Sequence, residues 1–256
     1  MERTNWTREE LILAFNLYCK IPFGTIHHRN PRIIALAKLL GRTPSAVAWK
    51  LANLASLDSS LRRRNIAGAS HASQLDQEVW NEFTGNWERL AFESERLLAK
   101  MQGRPIELAA EIETDELPRS GKERRAEVML RVNQSFFRKA VLASYGETCC
   151  VTGLTFPTLL VASHIVPWSK DEANRVNPRN GLCLNALLDR AFDTGLITVT
   201  TDFRVKISTA VRDAVKDTAK TGLLTRFHGK QIKLPDKFLP VPEFIRYHNV
   251  HIFRGK

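Results

Sequence analysis

The sequence has no long apolar run and few cysteines. No segment approaches the roughly 18 consecutive apolar residues of a membrane-spanning helix. Its four cysteines, Cys19, Cys149, Cys150 and Cys183, form no CxxC pair, which argues against a structural zinc site and a disulfide framework. The start, MERTNWTREE, lacks the charged-then-apolar layout of a secretory signal. We therefore expect a cytoplasmic protein with no membrane partner and no structural zinc.

The chain has fewer acidic residues than basic ones. The chain has 38 Lys and Arg against 27 Asp and Glu, a net charge of +11. A cationic surface raises the rate of encounter with polyanions, so nucleic acid is the expected partner. The hydrophobic content of 43% and the charged content of 25% are typical of folded globular proteins. A length of 256 residues favours two domains.

The N-terminal part has clear helix signals. Thr7 with Glu10 predicts a capping box, and Asn30-Pro31 and Thr43-Pro44 predict the starts of two further helices, with Gly41 between them. Two short helices joined by a glycine-containing turn are typical of a helix-turn-helix. An ordinary helical hairpin with a solvated face fits the same pattern.

If the pair is a helix-turn-helix, the second helix enters a DNA groove. Its outward-facing residues then contact DNA, and nearby arginines contact phosphates. Solvated loop charges are the alternative for the arginines. The residues predicted to bind DNA in this part of the chain are Arg42, Ser45, Trp49, Lys50, Asn53, Arg62, Arg63 and Arg64.

The middle of the chain predicts a domain boundary. A helix is expected from Gln77 to Lys100, with an aromatic face that packs in the core. The following stretch, GRPIELAAEIETDELPRSG, is rich in proline, glycine and acidic residues and is typical of a linker. We therefore predict a helical domain over residues 1–98, a linker over 99–124 and a second domain over 125–256.

The second domain contains short apolar runs around a histidine. A basic amphipathic helix is predicted over Ala126–Tyr145, and its residues Arg131, Gln134, Arg138 and Lys139 are available to DNA phosphates. CCVTG and TLLVASHIVPW then predict a hairpin that turns at Gly153. LCLNALLDRAFDTG has helical spacing. A histidine at a strand end with an aspartate on the next helix is the arrangement of a small metal-nuclease site.

These residues resemble the HNH (ββα-metal) endonucleases, in particular their bacterial restriction-type branch. The resemblance lies in Cys150–Gly153, Ala162–Trp168, Asn177–Leu182 and Asp189–Gly195. It implies an α+β protein in which an all-α, helix-turn-helix-like domain precedes a ββα-metal nuclease domain. The implied chemistry is hydrolysis of DNA phosphodiester bonds, which leaves 5′-phosphate and 3′-hydroxyl ends.

The resemblance also implies roles for single residues. His164 is the general base, Asn180 braces the loop that orients it, and Asp189 is a metal ligand. Ser163 stands where the family often has a second anionic ligand, and Asp193 is a further candidate ligand one helical turn after Asp189. The expected cofactor is Mg²⁺, with Mn²⁺ as a substitute.

The expected function is restriction of double-stranded DNA, with dependence on DNA modification left open. Cutting both strands with one site implies a homodimer or successive nicks. A DNA-binding regulator that no longer cleaves, because Ser163 replaces a ligand, is the alternative, and a nonspecific toxin-like nuclease is another. The remaining histidines are interpreted as surface or structural residues, with His248 and His251 near enough to the C-terminal basic region to touch DNA.

Overall fold

The computed structural model describes residues 5–63, 72–115, 117–118, 120–213 and 218–255, without the side chains of 62–63, 212–213 and 218–221. The chain forms two compact units, Met1–Ala143 and Ser144–Lys256. This division differs from the predicted one, since it falls at the end of a long helix and not within 99–124. No helix in the described ranges is long and apolar enough to cross a membrane.

The described part of the first unit is helical. Its helices are α1 Arg8–Lys20, α2 Pro31–Leu40, α3 Pro44–Leu57, α4 Ser59–Arg63, α5 Gln74–Thr84, α6 Trp87–Gln102, α7 Ile106–Ala109 and α8 Gly121–Ser144. The core lies around α1, whose Phe15 stacks on Trp80 at 4.8 Å between ring centroids and meets the edge of Trp87 at 6.0 Å. The predicted aromatic core is therefore confirmed.

Helix starts follow the predicted signals. The Thr7 hydroxyl accepts a hydrogen bond from the Glu10 amide, and the Glu10 carboxylate accepts one from the Thr7 amide at 2.8 Å. Asn30 caps α2 and Thr43 caps α3. Gly41 ends α2 with a φ of +64°, a left-handed conformation that favours glycine. These predictions are confirmed.

Two elements of the first unit differ from the sequence prediction. The single helix expected over Gln77–Lys100 is interrupted, because Asn86 starts a new helix by accepting a hydrogen bond from the Arg89 amide. The expected linker is packed and contains α7. Its Ile106, Ile112 and Leu117 join a cluster with apolar residues of α8, so burial of these side chains holds the segment against the unit.

The second unit contains two small sheets and several helices. Its elements are β1 Leu160–His164, β2 Gly181–Asn185, α9 Ala186–Asp193, β3 Ile197–Val199, β4 Val205–Ile207, α10 Thr209–Asp213, α11 Thr218–Thr225 and α12 Pro242–His251. Strands β1 and β2 are antiparallel, with Leu160 opposite Asn185 and His164 opposite Gly181. Strands β3 and β4 form the second antiparallel pair.

The predicted hairpin between CCVTG and TLLVASHIVPW is wrong. Residues Cys149–Gly153 form a tight turn, in which the Gly153 amide donates to the Cys149 carbonyl and Gly153 has a φ of +77°. The partner of β1 is instead β2. The sequence pattern predicts a helix for most of β2, because its apolar residues continue the helical spacing of the following segment. Asn185 ends β2 and starts α9 by accepting a hydrogen bond from the Leu188 amide, so strand and helix adjoin without a loop. All four cysteines are buried and free, which confirms their interpretation as small core residues.

Candidate active site

A cleft of about 410 Å³ lies beside the first sheet of the second unit. Strand β1 contributes Ser163 and His164, and α9 contributes Asp189 and Asp193. Helix α12 closes one side with His248. The direct passage from β2 into α9 places the aspartates on a helix that packs beside β1. The structure therefore brings together the base and all three metal ligands that the sequence predicts.

The ring of His164 is held in one tautomer. Its Nε2 lies 2.8 Å from the carbonyl oxygen of Arg175. A carbonyl oxygen can only accept, so Nε2 carries the hydrogen and the neutral ring has its lone pair on Nδ1. The Trp168 ring meets the imidazole edge-on at 5.6 Å between centroids. Burial lowers the pKa of His164, although the bond to the Arg175 carbonyl partly offsets this effect.

Asn180 fixes the chain on either side of this histidine. Its side chain is fully buried. Its Oδ1 accepts a hydrogen bond from the Val166 amide at 2.8 Å, and its Nδ2 donates to the Val166 carbonyl at 3.0 Å and to the Asn174 carbonyl at 3.3 Å. Its own carbonyl accepts from the Ile165 amide at 2.9 Å. Asn180 thus ties the end of β1 to the loop that carries Arg175, the partner of His164.

Asp189 and Asp193 lie four residues apart on α9, and so on one face of the helix. Partial burial raises the pKa of each carboxyl group, and the charge of Asp189 raises the pKa of Asp193 further. The neighbouring Arg190 opposes both shifts. The two carboxylates are therefore close enough to repel each other, a repulsion that a bound cation would relieve.

Ser163 lies beneath these carboxylates. Its side chain is buried, and its Oγ forms no hydrogen bond of normal length within the described residues. The hydroxyl is nevertheless near enough to Asp189 to lower the pKa of that carboxyl group. Among the described residues, the only polar neighbour that shows an effect of this hydroxyl is therefore the Asp189 carboxylate.

The donor set suits a hard cation. Asp189, Asp193 and Ser163 present oxygen atoms, which hard cations prefer. A cation such as Mg²⁺ is bound through one or two carboxylates, with water and substrate phosphate completing its shell. Asp189 and Asp193 match that requirement.

His248 is a feature of the cleft that the sequence interpretation missed. The sequence predicts a surface or structural residue near enough to the C-terminal basic region to touch DNA, and its 1% exposure fits only the structural role. Its Nδ1 lies 2.8 Å from the Thr198 hydroxyl and its Nε2 3.1 Å from the Phe192 carbonyl, and the ring stacks on Phe192 at 3.7 Å. Burial lowers its pKa to about 4. No local signal identified it, because its partners are about 50 residues away in the sequence.

The predicted DNA contacts of α3 divide into two groups. Ser45 and Trp49 are exposed, as expected. Lys50 and Asn53 were predicted to face outward and are buried, with exposures of 7% and 5%. Lys50 Nζ forms an ion pair with Asp76 at 2.8 Å, so its charge is neutralised within the unit.

The basic side chains of the same unit are also paired in part. Arg42 bonds to Glu10 at 2.7 Å. On α8, Arg131 pairs with Glu127 at 3.0 Å and Lys139 with Glu111 at 2.8 Å, whereas Gln134 and Arg138 are exposed. Arg64 and the side chains of Arg62 and Arg63 lie outside the described residues. Helix α8 was expected in the nuclease domain, but nearly all of it belongs to the first unit.

Comparison with known proteins bears on the second unit. No curated protein matches the chain. One family model does match, over residues 149–200, and its span contains Ser163, His164, Asn180, Asp189 and Asp193. Its description is HNH endonuclease, so most of the cleft's lining residues, although not His248 and Ile252 of the C-terminal region, lie in a segment that matches an HNH endonuclease domain.

Proposed function

We propose that the protein is a metal-dependent DNA endonuclease in which His164 is the general base. The observation that carries this proposal is the pairing of His164 Nε2 with the Arg175 carbonyl, in a cleft shared with Asp189 and Asp193. A ring held in this way keeps Nδ1 as its basic nitrogen, and the carboxylates of the same cleft would supply a cation site. The match of residues 149–200 to HNH endonucleases supports the same reaction.

His164 acts through Nδ1. The lone pair there accepts a proton from the water that attacks the scissile phosphorus, while Nε2 keeps its hydrogen bond to the Arg175 carbonyl. Burial keeps the pKa of His164 below its usual value of 6.5, so the ring is neutral and able to accept a proton at neutral pH. Asn180 holds the end of β1 and the loop that carries Arg175 in the positions that the hydrogen bond between His164 and Arg175 requires.

Asp189 and Asp193 would hold Mg²⁺ or Mn²⁺, with Ser163 beneath them. When bound, the cation neutralises charge that develops on the phosphate and on the leaving 3′ oxygen. The carboxylates orient the site and, through their mutual repulsion, favour cation uptake. The products would carry 5′-phosphate and 3′-hydroxyl ends.

The proposed substrate is double-stranded DNA, and the proposed role is restriction in the cytoplasm. The net charge of +11 supports a polyanionic substrate. Exposed residues on α8, among them Gln134 and Arg138, would contact the DNA backbone. Cleavage of both strands by one such site would take a homodimer or successive nicks. Dependence on DNA modification stays open in this proposal and is tested below.

Two observations favour a second candidate, a DNA-binding regulator that no longer cleaves. Ser163 supplies a neutral hydroxyl at a position suited to an anionic ligand. The described residues also contain no three-ligand metal group. In that case the two carboxylates would bind cation weakly and the first unit would carry the function.

The deciding experiment is cleavage of modified and unmodified plasmid DNA by wild type, His164→Ala and Asp189→Asn in Mg²⁺, Mn²⁺ or EDTA. His28→Ala, which alters an exposed histidine outside the cleft, is the matched control. We expect cutting that needs metal, is unaffected in the control and is lost in the other two variants. The cleavage rate should fall only when the pH drops below the lowered pKa of His164. No cutting of any substrate, with DNA binding intact, would establish the regulator instead.

A further inference from the structure

A second cleft, of about 960 Å³, lies in the first unit along one face of α3. Ser45, Trp49 and Asn53 are spaced four residues apart and share this face. The other walls come from Asn5 and Trp6 at the N-terminal side and from residues 73–75 at the start of α5. The volume is at the upper end of the range of about 300–1,000 Å³ typical of ligand clefts. Any group that reaches Asn53 must therefore enter a recess.

Trp49 presents an aromatic face to this cleft. Its side chain is 60% exposed, whereas the core tryptophans Trp80 and Trp87 are 6% and 3% exposed. No ring within the described residues stacks on it, although the same unit stacks Phe15 on Trp80. A large exposed aromatic surface beside a recess is the usual platform for a flat ligand. It offers stacking to any planar group that enters.

Asn53 presents an unused acceptor. Its side chain is 5% exposed, and its Oδ1 is buried with no hydrogen-bond partner. The cleft is lined by this residue one helical turn beyond Trp49. An unpaired buried acceptor lowers the stability of the ligand-free protein. A ligand that donates an N–H group to it removes this cost. The ligand that suits this position therefore carries a hydrogen-bond donor.

The cations of the cleft are already neutralised. Lys50 pairs with Asp76, Arg42 pairs with Glu10, and both lie over the Trp6 ring, at 5.3 and 4.3 Å from its centroid. A phosphate group would have to compete with these carboxylates for them. The cleft is thus better suited to a neutral, planar group with N–H donors than to an anion.

From these contacts we infer that the cleft takes an unpaired nucleobase of the DNA substrate, stacked on Trp49 and donating its exocyclic amino group to Asn53 Oδ1. This inference rests on the proposed DNA substrate, and it replaces the predicted insertion of α3 into a groove. A base enters such a cleft from a single strand or after leaving a duplex, and leaving costs least at a mismatch or bulge. Adenine, cytosine and guanine carry the exocyclic amino group that the acceptor needs, and thymine does not.

The test is binding in EDTA to three DNA probes of equal length: a perfect duplex, the same duplex with one bulged adenine, and a single strand. Wild type should bind the bulged duplex more tightly than the perfect duplex. Trp49→Ala should weaken binding of the bulged duplex and the single strand by about 5- to 150-fold, the equivalent of about 1–3 kcal/mol for one stacked base. Binding of the perfect duplex should change little. Ile34→Ala, which alters a 44% exposed apolar residue outside the cleft, is the matched control.

A second variant separates binding from folding. Asn53→Leu removes the unpartnered acceptor, so the thermal stability of the protein should hold or rise, while its preference for a bulged adenine over a bulged thymine is lost. Equal loss on bulged and perfect duplexes in Trp49→Ala, or no loss on either, would overturn the inference. So would a wild type that does not prefer the bulge. Plasmid cleavage by His164→Ala stays a separate test, so either proposal can fail while the other stands.

Discussion

Replacing Asn180 by alanine tests how the end of β1 is held against the loop that carries Arg175 in the second unit. The change removes two good hydrogen bonds to Val166, at 2.8 and 3.0 Å, and a longer one to Asn174 at 3.3 Å. Each of the two bonds to Val166 contributes a net of about 1 kcal/mol, and the buried Val166 amide left without an acceptor costs about 1–3 kcal/mol more. We therefore expect Asn180→Ala to lower the free energy of unfolding of this unit by about 3–5 kcal/mol.

Hydrogen exchange measured on peptides across β1 and β2 isolates this unit from the first. Asn177→Ala is the matched control, because its side chain caps the adjoining turn at 3.0 Å from the Arg179 amide and its loss costs only about 1 kcal/mol. The cleavage rate should also fall in Asn180→Ala, since Arg175 is no longer held against His164. Protection within 1 kcal/mol of wild type, or equal to that of the control, would refute this role of Asn180.

Two further predictions concern buried charge. The pKa of His248 is about 4 in the folded protein against 6.5 in the unfolded chain. Between these pH values only the unfolded chain gains a proton. The folded protein therefore loses about 3 kcal/mol of stability, which is complete above pH 6.5, as the pH falls to 4. His248→Gln should flatten this dependence in unfolding measured at pH 7 and pH 4.5, and an unchanged slope would contradict it. Lys50→Met leaves the carboxylate of Asp76 buried and unpaired, so urea unfolding should show a loss of about 3–5 kcal/mol. Adding Asp76→Asn should recover much of that loss, and no recovery would mean that the lost charge pair is not the cause.

The sequence predicted what depends on neighbouring residues. Thr7, Asn30 and Thr43 cap helices because a side-chain oxygen reaches an amide two or three residues ahead, a contact that any chain with these residues can form. The position of His164 at a strand end was likewise visible from a short apolar run. The partner of that strand was not, because β2 lies about 20 residues later and its apolar residues fit a helix equally well.

The main errors of the sequence prediction concern side chains that are buried by residues distant in the sequence. The spacing of α3 places Lys50 and Asn53 on a polar side of the helix, which predicts that both side chains face solvent or DNA. In the structure, Asp76 arrives from α5 and neutralises Lys50, and the N-terminal segment brings Trp6 over the same ammonium group. Local periodicity gives the faces of a helix but not what covers each of them.

One cause, partial burial, shifts the pKa of three groups in the cleft beside β1. Partial burial raises the pKa of Asp189 and Asp193 and lowers the pKa of His164, so in each case it favours the neutral form. For the carboxylates this opposes their use as ligands, and a divalent cation reverses it by stabilising their charge. For the histidine the same cation acts with burial, because a nearby positive charge lowers its pKa further. Cation binding would therefore favour the anionic form of both ligands and the neutral form of the base together, which are the protonation states that the proposed hydrolysis requires.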